Sequence, residues 1–417
     1  MQKVELKAEE RGLPAVDEAP NAWKHEIREG WLILVTSLFG IAVGAASMLF
    51  YSLGMFFEPL QREFGWTRGQ VSGALLYLTL GFVISGPIVG WLSDRYGARV
   101  VALISIPLLA VSLFSLLRVG NSLPSFYALF FAAGSLGGGT TPVVYTRVVN
   151  ANFKSSRGLA LGIVLAGTGI AALALPPALG AAIGAWGWRD GFMVLAIAAG
   201  WAWPFVLYAL RNVQGAAPPE TRVHGVDRMT ALTSRVFWTV SIAFVAVAMA
   251  VSAFVVHLVP LLCDGGMTLP RAAAVASIIG IGVILGRVLI GWTIDRLFAP
   301  YVAAVVFLIT AIGCVLLDLA GADAAPISAF AVGLALGAEI DLIAYLTARY
   351  FGMRNYGFLY GSIYSMFSVG AAAGPVIVGY LFDWYGSYNL SLWIMASCLL
   401  FGALMIAPLP QFDWLRR

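Results

Sequence analysis

Twelve stretches of this chain are each apolar enough and long enough to cross a bilayer, which leaves few folds open. They run over 31–57, 69–92, 98–118, 123–150, 157–185, 190–211, 236–262, 271–294, 299–320, 325–350, 356–382 and 388–409. A hydrocarbon core of ~30 Å needs ~20 apolar residues per helix, and a helix is one of the few structures that satisfy their own backbone groups in lipid. The stretches use up most of the 417 residues, in a chain that is 60% hydrophobic and 11% charged. The expected fold class is therefore an all-α membrane protein of twelve transmembrane helices, with no room for a soluble catalytic domain.

Enzyme chemistry is not expected either. The chain has no HExxH motif, and Cys263, Cys314 and Cys398 lie in or at the ends of different stretches without CxxC spacing. His25 and His224 fall in polar segments, and His257, near the outer end of the seventh stretch, reads as a satisfied helix-end residue. Neither a metal nor another cofactor is implied. The net charge of +4 raises nucleic acid as a partner, but the distribution of that charge argues against it. Arg95, Arg99, Lys154, Arg157, Arg211, Arg222, Arg228, Arg235, Arg296, Arg349 and Arg354 all fall on one side if the termini are cytoplasmic. That is the positive-inside pattern of a protein in a plasma (inner) membrane, both termini in the cytoplasm and lipid as its surroundings. It is expected to work as a monomer.

The chain also repeats itself. At a shift of 201 positions, Leu60, Gly65, Thr67, Gly81, Gly90, Trp91, Asp94 and Arg95 meet Leu261, Gly266, Thr268, Gly282, Gly291, Trp292, Asp295 and Arg296. At a shift of 199, Pro176, Gly180 and Gly187 meet Pro375, Gly379 and Gly386. The longest internal polar stretch separates the two copies. The organisation read from this is a cytoplasmic tail (1–30), a six-helix bundle (31–211), a cytoplasmic linker (212–235), a second six-helix bundle (236–409) and a short cytoplasmic tail (410–417). Parallel repeats of this kind place a substrate site near mid-membrane, between the halves.

Against that pattern one residue stands out. Arg287 lies inside the eighth stretch, where the repeat places Gly86. A charge there costs about 2.5–3.5 kcal/mol on insertion scales, so it faces a cavity or a partner. Eight residues separate it from Asp295, which is ~12 Å at ~1.5 Å per residue, toward the middle of the bilayer. A guanidinium can hold a carboxylate by two parallel hydrogen bonds, which a lysine cannot. The competing reading is a structural ion pair with an acid of the tenth stretch. That stretch carries Glu339 and Asp341, which sit about 200° apart around a helix and so face different surroundings. Asp341, Tyr345 and Arg349 form one polar stripe, whereas Glu339 sits among Ala335, Leu342, Ile343 and Leu346. Buried carboxylates resist ionisation, so either acid is a candidate for a coupling proton. Tyr51, Tyr77, Tyr145, Tyr345, Tyr360 and Tyr364 are candidates to offer hydroxyls to a substrate carboxylate, with packing as the alternative.

Gly90-x-Leu92-x-Asp94-Arg95-x-Gly97-x-Arg99 resembles the loop signature of the major facilitator superfamily, with Gly291–Arg296 as a weaker second copy. NFKSSRGLALG (152–162) followed by LAGTGI, and HLVPLLCDGG followed by Arg287, resemble the monocarboxylate transporter and oxalate/formate exchanger branch. The resemblance implies two pseudo-symmetric bundles with Arg287 as the carboxylate ligand. It also implies gating by Asp94, Arg95, Arg99, Asp295 and Arg296, whose acids would dock on the helix starts at Asn355–Gly357 and Ser156–Gly158. This chain departs from the branch at three points: Tyr51 replaces the first-helix lysine of animal members, Val283 replaces their aspartate, and Tyr356–Phe382 holds no Lys or Arg. One cavity cation favours a monoanion over a dianion. The expected function is secondary transport of a small organic monoanion with a proton, by alternating access. Anion exchange without a proton, or export of drugs or metabolites, are the alternatives.

Overall fold

The structure is a computed structural model that describes residues 22–153, 156–211, 225–294, 296–352 and 355–412. In the first half the helices are α1 (Ala22–Ala42), α2 (Ala45–Ser52), α3 (Phe57–Phe64), α4 (Arg68–Tyr96), α5 (Ala98–Ser115), α6 (Leu123–Leu136), α7 (Pro142–Asn152), α8 (Arg157–Leu165), α9 (Gly167–Trp186) and α10 (Trp188–Ala209). The short α11 (Arg228–Leu232) leads into the second half: α12 (Arg235–Asp264), α13 (Leu269–Ile294), α14 (Ala299–Ala320), α15 (Ala325–Phe351), α16 (Tyr356–Tyr385) and α17 (Asn389–Ile406).

Among the described residues, ten spans are long and apolar enough to cross a membrane, and the bent pair 23–42 and 45–64 makes another. The first and fourth expected stretches differ from their simple reading. Helix α1 begins at Ala22, upstream of Trp31, because its first turns are too polar for hydropathy to register. The fourth stretch is two helices, α6 and α7, separated by a 3-10 turn over Gly137–Thr140.

The two interruptions support each other. The first span bends by 42° between α1 and α2, where Gly44 is extended (φ −76°, ψ 158°). The Ala45 N–H freed at that bend donates to Thr140 Oγ1 at 3.1 Å, and the Thr140 hydroxyl donates to the Gly137 carbonyl at 2.6 Å. A backbone donor that a break would leave orphaned in an apolar core is thus paired across to the other broken helix.

Two seams position the middle of the molecule. Within the second half α13 packs on α15, and between the halves α9 packs on α13 and α4 on α16. At the α13–α15 seam a side chain on Gly282 would lie 2.6 Å from the Phe330 carbonyl oxygen and 2.8 Å from Gly333 Cα. Only glycine admits that approach, as in other small-residue membrane interfaces. The close seam brings Arg287 of α13 up against Asp341 of α15.

Candidate functional site

Arg287 is 9% exposed, and three atoms of its guanidinium have distinct fates. Nη1 donates to both Asp341 oxygens, at 3.2 and 3.3 Å. Nη2 donates to Thr168 Oγ1 of α9, at 3.4 Å, across the boundary between the halves. Nε is buried and has no partner among the described residues. Asp341 keeps 33% of its side chain exposed, while Glu339, two residues earlier, is 1% exposed. Glu339 Oε1 has no hydrogen-bond partner among the described residues. The opposed faces read from the sequence are therefore observed, with one acid on the arginine and the other packed in the helix interior.

The tyrosines divide. Tyr51 lies within electrostatic reach of Arg287 and Glu339, and Tyr360 within reach of Asp341 and Arg287. Tyr360 is one rung of a stacked ladder along α16: Tyr356–Tyr360 at 5.5 Å, Tyr360–Tyr364 at 5.9 Å and Tyr364–Phe367 at 5.8 Å. Tyr145 and Tyr345 go elsewhere. The Tyr145 ring is wholly buried against Gly40, and its hydroxyl has no partner among the described residues. The Tyr345 hydroxyl donates to the Ile294 carbonyl at 3.2 Å, a full seven residues beyond Arg287. Tyr77 stacks on Tyr127 at 4.5 Å.

At the end that carries the linker, contacts of the described loop-signature residues stay within each half. Arg95 stands over Trp91 and Tyr96, at 5.5 and 5.6 Å. Arg99 donates to the Leu207 carbonyl at 3.0 Å, and Arg296 donates to the Trp292 carbonyl at 3.0 Å while lying over its ring at 3.9 Å. The Asp94 side chain and Asp295 lie outside what is described. The helix starts expected to receive those acids hold other partners here. Ser156 donates through N and Oγ to Glu26 of α1 at 2.9 and 2.8 Å. Asn355 accepts from Arg228 at 3.1 Å and donates to the Val226 carbonyl at 2.8 Å.

The opposite end is where the halves are tied, and sequence reading missed it. Arg68, 8% exposed, forks onto Asp264 at 2.6 and 2.7 Å and donates to the Tyr388 hydroxyl at 2.6 Å. Its guanidinium also lies 3.9 Å over the Phe382 ring. Asp383 accepts the backbone N–H groups of Arg68 and Gly69, both at 3.0 Å, and so caps the start of α4 from the other half. His257 is satisfied, as expected, but by partners outside its own helix: it is 1% exposed, near the end of α12, and sits inside this network. Its Nε2 is 2.8 Å from the Pro375 carbonyl, which can only accept, so Nε2 carries the proton. In the neutral ring Nδ1 then accepts from the Tyr388 hydroxyl at 3.0 Å. Nothing in the local sequence marks Arg68, because its partners are 196 and 315 positions away.

A charged residue buried between two six-helix halves, which are tied at one end while the described loop-signature residues at the other make their contacts within each half, fits a membrane transporter. A family model described as Major Facilitator Superfamily matches residues 32–338, and the chain belongs to that superfamily. It is similar to monocarboxylate transporter 11 of Homo sapiens, 24% identical over 397 residues that cover 92% of this chain and 83% of the relative. Monocarboxylate transporter 13 of Bos taurus is 25% identical over 397 residues, covering 92% and 90%. Among solved structures, a D-xylose-proton symporter superposes with a TM-score of 0.69 at 15% identity, over 94% of this chain and 99% of that one.

Proposed function

We propose that the protein is a secondary transporter moving a small organic monoanion together with a proton. The observation that carries this reading is Arg287, a buried cation held by an acid that is itself partly exposed. With the site empty, Asp341 neutralises the guanidinium. Protonation of Asp341 withdraws that negative charge and leaves Arg287 in need of an anion, which a substrate carboxylate supplies. Proton and anion then cross as a pair, and the site never carries an uncompensated charge through the low-dielectric interior. Asp341 is the favoured proton carrier, with Glu339 second; Tyr51, Tyr360 and Tyr364 offer further contacts. Similarity to monocarboxylate transporters supports the choice of a carboxylate.

In this reading the linker end faces the cytoplasm, with both termini there, in the plasma (inner) membrane, and the monomer is the working unit. The halves rock about the central site. Asp94, Arg95, Arg99, Asp295 and Arg296 close the linker end in the alternate state. Counterflow in proteoliposomes, screened across small monocarboxylates, tests it. Arg287→Ala is expected to abolish counterflow, with Arg287→Lys restoring little of it. Wild-type rates in the Ala variant would remove the anion clamp.

A further inference from the structure

The Arg287 guanidinium has two forks that can each take a carboxylate side-on. Asp341 occupies neither, because both of its oxygens meet the single nitrogen Nη1. The Nε–Nη2 fork is the one without an acid partner. Nε is buried without a partner among the described residues, and Nη2 has only the long 3.4 Å contact to Thr168. Thr168 stands at the break between α8 and α9, where its hydroxyl proton goes to the Leu165 carbonyl at 3.0 Å. Its lone pairs are thereby left toward Arg287. A buried cationic N–H without an acceptor bears its full desolvation cost, which an arriving carboxylate would relieve.

Resting on the organic-anion reading above, we propose that Thr168 is a substrate-positioning residue. The carboxylate docks on the Nε–Nη2 fork of Arg287 and takes a hydrogen bond from the Thr168 hydroxyl, which turns from Leu165. Since Thr168 belongs to the first half and Arg287 to the second, the bound carboxylate bridges the halves at mid-depth.

The test is isothermal titration of the purified full-length protein with acetate, L-lactate and benzoate, each against its neutral amide. Wild type is expected to bind at least one acid and not its amide. Binding of none overturns the organic-anion reading, and this inference with it. Given binding, Thr168→Val should weaken it about tenfold, the usual worth of one charge-assisted hydrogen bond, and Thr168→Ser should restore it. Equal affinity in the Val variant, or a Ser variant as weak as the Val variant, overturns the role of Thr168 while the anion reading stands.

A second inference rests on the opposite end alone. On α4 and α16, Asp383 near the end of α16 caps the start of α4. We infer that the Asp383–Arg68–Asp264 latch holds the conformation seen here. Spin labels at the exposed positions 61 and 387, in a background with the three cysteines changed to alanine, report the gap between halves. Asp383→Ala and Arg68→Ala should each populate a longer distance that wild type lacks. An unchanged distribution in Asp383→Ala, which removes only an exposed side chain, overturns the latch even if the Arg68 variant fails to fold.

Discussion

Arg287 could be found from sequence because a charge in a membrane helix is costly wherever it points, and because the repeat placed a glycine opposite it. Its fate could not be read so easily. Local periodicity put Glu339 and Asp341 on different faces, but which of them met the arginine depended on the α13–α15 seam. The structure gives Asp341 the arginine and leaves Glu339 Oε1 unpartnered among the described residues. The two amide variants should therefore differ. Asp341→Asn is expected to uncouple uphill uptake from the pH gradient while sparing exchange, because the asparagine can neither bind nor release a coupling proton and leaves Arg287 without a counter-charge. Glu339→Gln should leave coupling intact and change stability more than transport. Uptake into proteoliposomes with and without a pH gradient measures both; a coupled Asp341→Asn variant would pass the proton role to Glu339.

At the scale of elements, the spans were legible wherever a run of apolar residues was unbroken, and less so where the chain bends. The run GGGTT ahead of Pro142 is a break signal in its own right, yet it lies inside an apolar stretch long enough to be taken as one span. The cap of Ala45 N–H by Thr140 Oγ1 joins residues 95 apart, so no local pattern announces it. Thr140→Val keeps the shape and removes the acceptor; it should cost about 1–3 kcal/mol, the price of an orphaned buried N–H. The helix seam behind Arg287 makes a sharper prediction. Gly282→Ala would place a methyl 2.6 Å from the Phe330 carbonyl oxygen, and a helix-to-helix backbone contact cannot yield as a flexible side chain would. The separation of α13 from α15 should lower thermal stability, by about 1–3 kcal/mol if it follows other overpacked sites, and weaken the Arg287–Asp341 pair. Melting of the purified variants, monitored by size-exclusion chromatography after heating, checks both.

Across the whole molecule, the proposed alternation makes the relative stability of two closures decide which face the site opens to. Sequence repeats show that two halves exist, because repetition survives in the order of residues. They do not show which contacts tie the halves in a given state, because Arg68, Asp264 and Asp383 are non-equivalent residues 196 and 315 positions apart. At the linker end the start of α8 is held by Glu26, the very place where the superfamily loop would dock Asp295. If the proposed docking holds, Asp295 would compete with Glu26 for the same two donors. In the conformation seen here Glu26 has them, and under the proposed gating the reverse conformation would require it to let go. Glu26→Ala should lower the cost of closing the linker end and shift the population toward that state. With spin labels at 61 and 387, the distance at the opposite end should lengthen in a fraction of molecules, as in Asp383→Ala. Each tenfold change in that ratio corresponds to about 1.4 kcal/mol, within what two charge-assisted hydrogen bonds supply. An unaltered distribution would mean that Glu26 caps α8 in both states and that Asp295 docks elsewhere.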